Sequence, residues 1–303
     1  MRSTAKSSLT LASSVLLSLL AVSSAHSQST DAVALTDRPR VGLVLGGGGA
    51  KGAAHIGVLR VLEELRVPID CVAGTSMGAL VGATFAAGVA PADIESAVLA
   101  IDWSETVGGQ GRRDQMPIER KLSGVTYSNN FEFGIRDGSL TAPAGIFATQ
   151  AIENRIRTLV SRAWFTESFD DLPIPFRAVA TDMLTGDMVV LDSGPLADAM
   201  RASMAIPGAF APVRTDGRIL SDGGLMRNLP VDVARELCAD VVIAVWLSTT
   251  PPNESDLSSA FAILQRSVAV MIGANQTAQI ATLTERDVGI GVQMGDLRTE
   301  EFE

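Results

Sequence analysis

The sequence predicts one large α/β domain built on a mainly parallel sheet, and three observations carry that expectation. The apolar run Val41-Gly42-Leu43-Val44-Leu45 reads as a buried strand, followed by four glycines and a helical pattern from Gly52. A second short apolar strand, Ile69 to Ala73, closes a strand–helix–strand unit of the parallel kind. The 303 residues are 47% hydrophobic with no repeat or low-complexity tract, which is ample material for one large core.

Residues 1–25 stand apart from that domain. Arg2 and Lys6 give a positive start, Leu9 to Val22 form an apolar run, and Ser23-Ser24-Ala25 supplies the small residues of a cleavage site. The run falls short of the ~20 residues a bilayer span needs. No cysteine follows it, so a lipid anchor is not indicated. The expectation is a signal peptide over 1–25, a polar linker over 26–38 and the domain over 39–303. Such a protein is exported: periplasmic, outer-membrane-associated or secreted. Loss of the leader takes the formal charge from −10 to −12. That argues against nucleic acid as a partner and against simple electrostatic adhesion to anionic lipid. Cys71 and Cys238 lie in apolar contexts and are expected to be two buried thiols in preference to a disulfide.

The elements follow in order. Gly52 to Arg66 carries Ile56, Leu59, Leu62 and Leu65 on one stripe, and Pro68 ends that helix. A helix over Ala79 to Ala87 and another over Ala92 to Leu99 come next. Residues 104–145 have the weakest periodicity in the domain, with a strand Phe131 to Ile135 and an Asp137-Gly138 hairpin turn inside them; a lid and a plain surface loop fit equally. Thr149 to Val160 is helical. Phe176 to Asp182 is a core strand that a Thr185-Gly186 turn joins to Asp187–Leu191 as a hairpin. Leu196 to Ser203 is a helix broken by Ile206-Pro207-Gly208. Arg218 to Leu220 is a strand ending at Ser221-Asp222, and Pro230 to Leu237 is a helix leading to the strand Asp240 to Leu247. Ser255 to Thr284 reads as one long helix. Its Leu257, Phe261, Leu264, Val268 and Met271 form a seam expected to pack on its own domain, with a dimer or membrane contact as the alternative. Val288 to Met294 alternates as a last strand, and Thr299 to Glu303 resembles a helix begun and unfinished.

The chemistry-bearing residues lie at strand ends. Gly74-Thr75-Ser76-Met77-Gly78 is a G-x-S-x-G turn placed directly after a strand and before a helix, the context in which a serine hydroxyl projects from the sheet edge. Its bland alternative is a small-residue packing turn. The glycine loop supplies amides beside a helix N-terminus, an anion site. It also fits a dinucleotide fingerprint, Gly47-x-Gly49-x-x-Gly52 with Asp70 downstream, although the second strand runs into a nucleophile turn instead of a ribose-binding loop. With only His26 and His55 in the chain, a Ser-His-Asp triad and a zinc site are both disfavoured, so the base is a carboxylate or lysine. Asp222, at a strand end before two glycines, is the best candidate. It would take the proton of Ser76 while the Gly47, Gly48 and Gly49 amides hold the oxyanion.

Gly47-Gly48-Gly49-Ala50-Lys51-Gly52, Gly74-Thr75-Ser76-Met77-Gly78 and Asp222-Gly223-Gly224, together with the block Ala202 to Gly208, resemble in type and order the bacterial patatin-like phospholipases. The resemblance covers roughly Arg40 to the end. It implies a three-layer α/β/α fold, a Ser76–Asp222 dyad, Lys51 at the basic position of the oxyanion motif, and hydrolysis of phospholipid or lysophospholipid acyl esters without metal or cofactor. By analogy it also suggests a C-terminal outer-membrane barrel beyond this chain. A non-catalytic lipid- or host-binding module on the same fold is the alternative.

Overall fold

A computed structural model describes residues 38–100, 134–136, 139–141, 149–248 and 250–295. The expected leader, most of the 104–145 stretch, the Asp137-Gly138 turn and the unfinished end lie outside the described residues. Residues Pro39 to Glu303 form one unit.

The first strand, β1 (Val41–Leu45), ends in the glycine loop, and Gly49–Ala53 form a 310 turn before α1 (Ala54–Glu64) begins. The sequence reading started that helix at Gly52; the glycines instead wind the tighter turn. After β2 (Cys71–Thr75) come α2 (Met77–Ala86) and α3 (Pro91–Leu99). Strands β3 (Gly134–Arg136) and β4 (Ser139–Thr141) pair antiparallel around Ile135 and Leu140 as a small separate hairpin. Helix α4 (Thr149–Leu159), β5 (Phe176–Asp182), β6 (Met188–Leu191) and α5 (Leu196–Ser203) follow. Next are β7 (Val213–Thr215), which the sequence pattern did not signal, β8 (Arg218–Asp222), α6 (Gly224–Arg227) and α7 (Val231–Leu237). The chain continues with β9 (Val241–Ser248), α8 (Ala260–Ile280) and β10 (Val288–Gln293).

Strands β10, β9, β1, β2 and β5 run parallel in that spatial order, and β6, β8 and β7 add antiparallel pairings. Residues alternate between two cores, as a sheet covered on both faces requires. Leu43 and Leu45 pack with α1 to α5 on one side, whereas Val44 packs with α7 on the other, giving three layers.

The β5 register decides where the site forms. Val179 pairs with Thr75 of β2 and with Val190 of β6, and Ala180 pairs with Asp222 of β8 and with Val189 of β6. A strand has two edges, and β6 occupies one of them. Strands β2 and β8 therefore share the other, meeting end to end, so the residue after Thr75 and the last residue of β8 are brought together.

Three expectations are corrected. Cys71 and Cys238 form a disulfide, their Cα atoms 6.2 Å apart, within the bridging range. Helix α7 lies over the starts of β1 and β2, where Gly42 has no side chain to hold Ala234 and Ala239 away. The long helix is shorter than expected, with Glu254–Leu257 as a separate 310 turn. Of its apolar seam, Leu264 and Met271 are exposed and Val268 half-buried, while Asn275, Gln276 and Gln279, with Ile272 and Ile280, make contacts with the domain.

Candidate active site

Ser76 joins β2 to α2 with φ +54°, a left-handed conformation costly for any residue with a Cβ. Three features hold it there. Its N–H donates to Ser203 Oγ at 2.9 Å, and its carbonyl accepts from the amides of Ala79 and Leu80 at 2.9 and 3.1 Å. Gly78 lies so close to the Leu45 carbonyl that no side chain could stand there. Ser203 Oγ in turn donates to the Val179 carbonyl at 2.6 Å, tying the nucleophile turn to the central strand. The positive end of α2 lies at Ser76.

Asp222 is buried beside it. Its Oδ1 accepts from the Gly224 N–H at 2.7 Å. Its amide donates to the Ala205 carbonyl at 2.9 Å, and its carbonyl accepts from Thr181 Oγ1 at 2.9 Å. Oδ2 is buried with no well-formed hydrogen bond of its own. Burial pushes the carboxyl up to about 6, against smaller downward pulls from the Ser76 hydroxyl and the Gly224 amide. The Ser76 hydroxyl is thus near enough to act on Asp222 as a donor, and Oδ2 is the acceptor left for its proton.

The glycine loop packs over the serine. A Cβ at Gly47 would stand 3.2 Å from Ser76 Cβ and 2.5 Å from Asn228 Oδ1, so glycine is required by close approach. Its N–H, however, donates to the Asn228 carbonyl at 3.1 Å. Gly47 is therefore not a free oxyanion donor, contrary to the sequence reading. The Gly48 and Gly49 amides have no such bond among the described residues, and with Met77 at the α2 N-terminus they are the amides left to meet a developing negative charge. Lys51 is buried in the 310 turn and engaged within the fold. Gly74 and Gly78 serve the turn, an added Cβ at Gly74 standing 2.6 Å from the Gly78 carbonyl oxygen.

Three supporting side chains escaped the sequence reading. Asn228 Nδ2 donates to Gln276 Oε1 at 2.7 Å and reaches the Gly47 carbonyl at 3.4 Å. Asn275 accepts from the Asn228 amide at 2.8 Å and donates to the Gly224 carbonyl at 2.8 Å. Ser203 completes the set. The available signal was three amide side chains, Asn275, Gln276 and Gln279, at helical spacing in the second half of a largely apolar helix. His55 is fully buried, and its Nε2 meets the Gly46 carbonyl at 2.7 Å, which makes that nitrogen the donor. Burial lowers its pKa to about 4, partly offset by that bond, so it braces the loop as a neutral ring. Asp70 accepts from the Val41 amide at 2.7 Å, at the strand starts and a whole strand away from the glycine loop. That position removes the acidic partner a dinucleotide site would need.

Comparison with known proteins follows this geometry. The family model described as Patatin-like phospholipase matches residues 43–235, well over half the chain. The chain is similar to an uncharacterized NTE family protein of Mycobacterium tuberculosis, 40% identical over 210 residues, 69% of this chain and 49% of the relative. It is also similar to patatin-like phospholipase domain-containing protein 7 of Rattus norvegicus, 34% identical over 221 residues, 72% of this chain and 14% of the relative. It thus spans about half the length of the mycobacterial relative and a small part of the animal one. Among solved structures, VipD from Legionella pneumophila matches with a TM-score of 0.49 at 18% identity, over 86% of this chain and 62% of that one. The chain belongs to the patatin-like phospholipase family.

Proposed function

We propose that the domain is an exported serine lipid acyl hydrolase of the phospholipase A or lysophospholipase type. The observation that carries the reading is Ser76, held on a strained turn beside the one Asp222 oxygen that the fold leaves unbonded. In the first half-reaction Ser76 Oγ attacks the acyl carbonyl and its proton passes to Asp222 Oδ2. The tetrahedral oxyanion is held by the Gly48 and Gly49 amides and the α2 N-terminus. As the ester bond breaks, Asp222 returns the proton to the departing alcohol, and the acyl group remains on Ser76. Water then attacks the acyl-enzyme with Asp222 as base, releasing fatty acid and restoring the serine.

A carboxylate with pKa near 6 suits that duty, because it is ionised at neutral pH yet basic enough to share a proton. The leader-like residues 1–25 support export, and so does the Cys71–Cys238 disulfide, a bond that persists in oxidising compartments.

The test is fatty-acid release from mixed-chain phosphatidylcholine and its lyso form with chelator present. Ser76→Ala and Asp222→Asn should each lower the rate by roughly 10⁴-fold while the chain stays folded. Release that survives both substitutions would end the reading.

A further inference from the structure

Helix α8 is apolar on its outward side as well as its inward one. A surface helix usually turns its apolar stripe inward and its polar face to water. Here Asn275, Gln276 and Gln279 face the domain, bonding Gly224, Asn228 and Asp232, with Ile272 and Ile280 packed on the same side. The outward face carries Ile263, Leu264, Val270 and Met271, between 52% and 61% exposed, in two adjacent pairs seven residues apart and so on one stripe. Nothing in α8's own packing explains four large apolar side chains kept in water.

Its charge is equally unlike the rest of the chain. The protein has a net charge of −10, yet residues 257–284 contain no aspartate or glutamate and a single cation, Arg266. The apolar surface also runs toward the site. Met226 is exposed on α6, the short helix that starts two residues after Asp222 and packs against α8. Asn275 bonds the Gly224 carbonyl, next to the amide that holds Asp222 Oδ1. Among the described residues no helix is long and apolar enough to cross a membrane, so α8 is suited to lie on one, not through it.

We propose that the outward face of α8, with Met226, is a docking surface for a lipid bilayer, inserting Ile263, Leu264, Val270 and Met271 among the headgroups and acyl chains. Its purpose rests on the lipid hydrolase reading, because it sets the Asp222 end of the sheet against the surface where acyl esters are presented. The absence of acidic residues in this stretch lets a strongly acidic protein approach a bilayer face-on. Its attraction is apolar, so zwitterionic lipid suffices and salt has little influence.

The experiment uses the full chain and sucrose-loaded phosphatidylcholine vesicles, read by co-sedimentation at low and high salt. Alongside it run hydrolysis of a water-soluble short-chain ester, a thermal melt and sedimentation velocity. Leu264→Ser and Met271→Ser should each weaken vesicle partitioning about tenfold. Vesicle hydrolysis should fall in proportion, with soluble-ester hydrolysis and the melt unchanged. Unchanged partitioning overturns the proposal, as does a parallel fall in both hydrolyses. A parent dimer that the substitutions dissociate also overturns it and assigns the face to a second copy. Vesicle binding that needs α8 in a protein that hydrolyses no ester upholds docking while the hydrolase reading fails. Ser76-dependent hydrolysis with partitioning indifferent to α8 does the reverse.

Discussion

The two ends of the sheet are constructed on opposite principles. At the strand starts, charges are paired and the chain is stapled. Arg40 donates its amide to Asp240 at 2.9 Å, Arg177 reaches Asp170 at 2.8 Å, and the buried carboxylate of Asp287 takes Arg235 together with the amides of Val242 and Thr284. For Asp287, burial pushes the carboxyl up, yet these bonds outweigh it and hold it below the usual range. The disulfide binds β2 to the end of α7 at the same edge. At the strand ends a serine sits in a left-handed conformation and a buried aspartate keeps one oxygen without a partner. The fold is secured at one edge and left frustrated at the other, where frustration is chemically useful.

The contrast can be broken most forcefully at the stapled edge. Cys71→Ala with Cys238→Ala opens a loop of sequence separation 167 and should cost about 2–5 kcal/mol of stability, read by denaturant unfolding. Hydrolysis at low temperature should survive, because the site lies at the other edge.

The frustrated edge should respond in the opposite direction. The folded pKa of Asp222, about 6, lies above its ordinary value of 3.8, so the fold favours the neutral acid. Its ionisation penalty is absent below pH 3.8, accumulates between there and about 6, and is constant above. Asp222→Asn should therefore abolish hydrolysis and yet raise stability at pH 8 by up to roughly 3 kcal/mol. The gain should vanish in melts below the ordinary carboxylate pKa. In the parent, the rate should climb through the same range as the base ionises.

A smaller effect sharpens the same comparison. Ser203→Ala removes the group that bridges the Ser76 amide and the Val179 carbonyl, leaving both buried. Stability should fall by about 1–3 kcal/mol. Separately, kcat should drop roughly tenfold to hundredfold with KM nearly unchanged, because the nucleophile loses its position and not its chemistry.

What could be read from the sequence was what local pattern encodes. The run from β2 through Ser76 into α2 needs only an apolar strand, two glycines and a serine, and Asp222 stands out at a strand end before two glycines. The disulfide was illegible because its geometry depends on how α7 settles over Gly42, a contact between distant segments. The seam of α8 misled because periodicity reports that a stripe exists and is silent about which side the domain lies on. Asn275 and Gln276 meet Asn228 there, and the apolar stripe faces out. Gly47 misled for a related reason: a glycine-rich loop advertises spare amides, and only the folded chain reveals that Asn228 has taken one.

The end-to-end meeting of β2 and β8 along β5 has a consequence for when the site is assembled. Ser76 is made early in synthesis and Asp222 late, and the two become neighbours only after both strands have found the same edge of β5. A nascent chain or a fragment cut before β8 carries Ser76 without Asp222, which on the proposed mechanism is a nucleophile with no base. On the proposed mechanism, hydrolysis would thus be withheld until folding is finished, a safety catch that needs neither an inhibitor nor a removable segment.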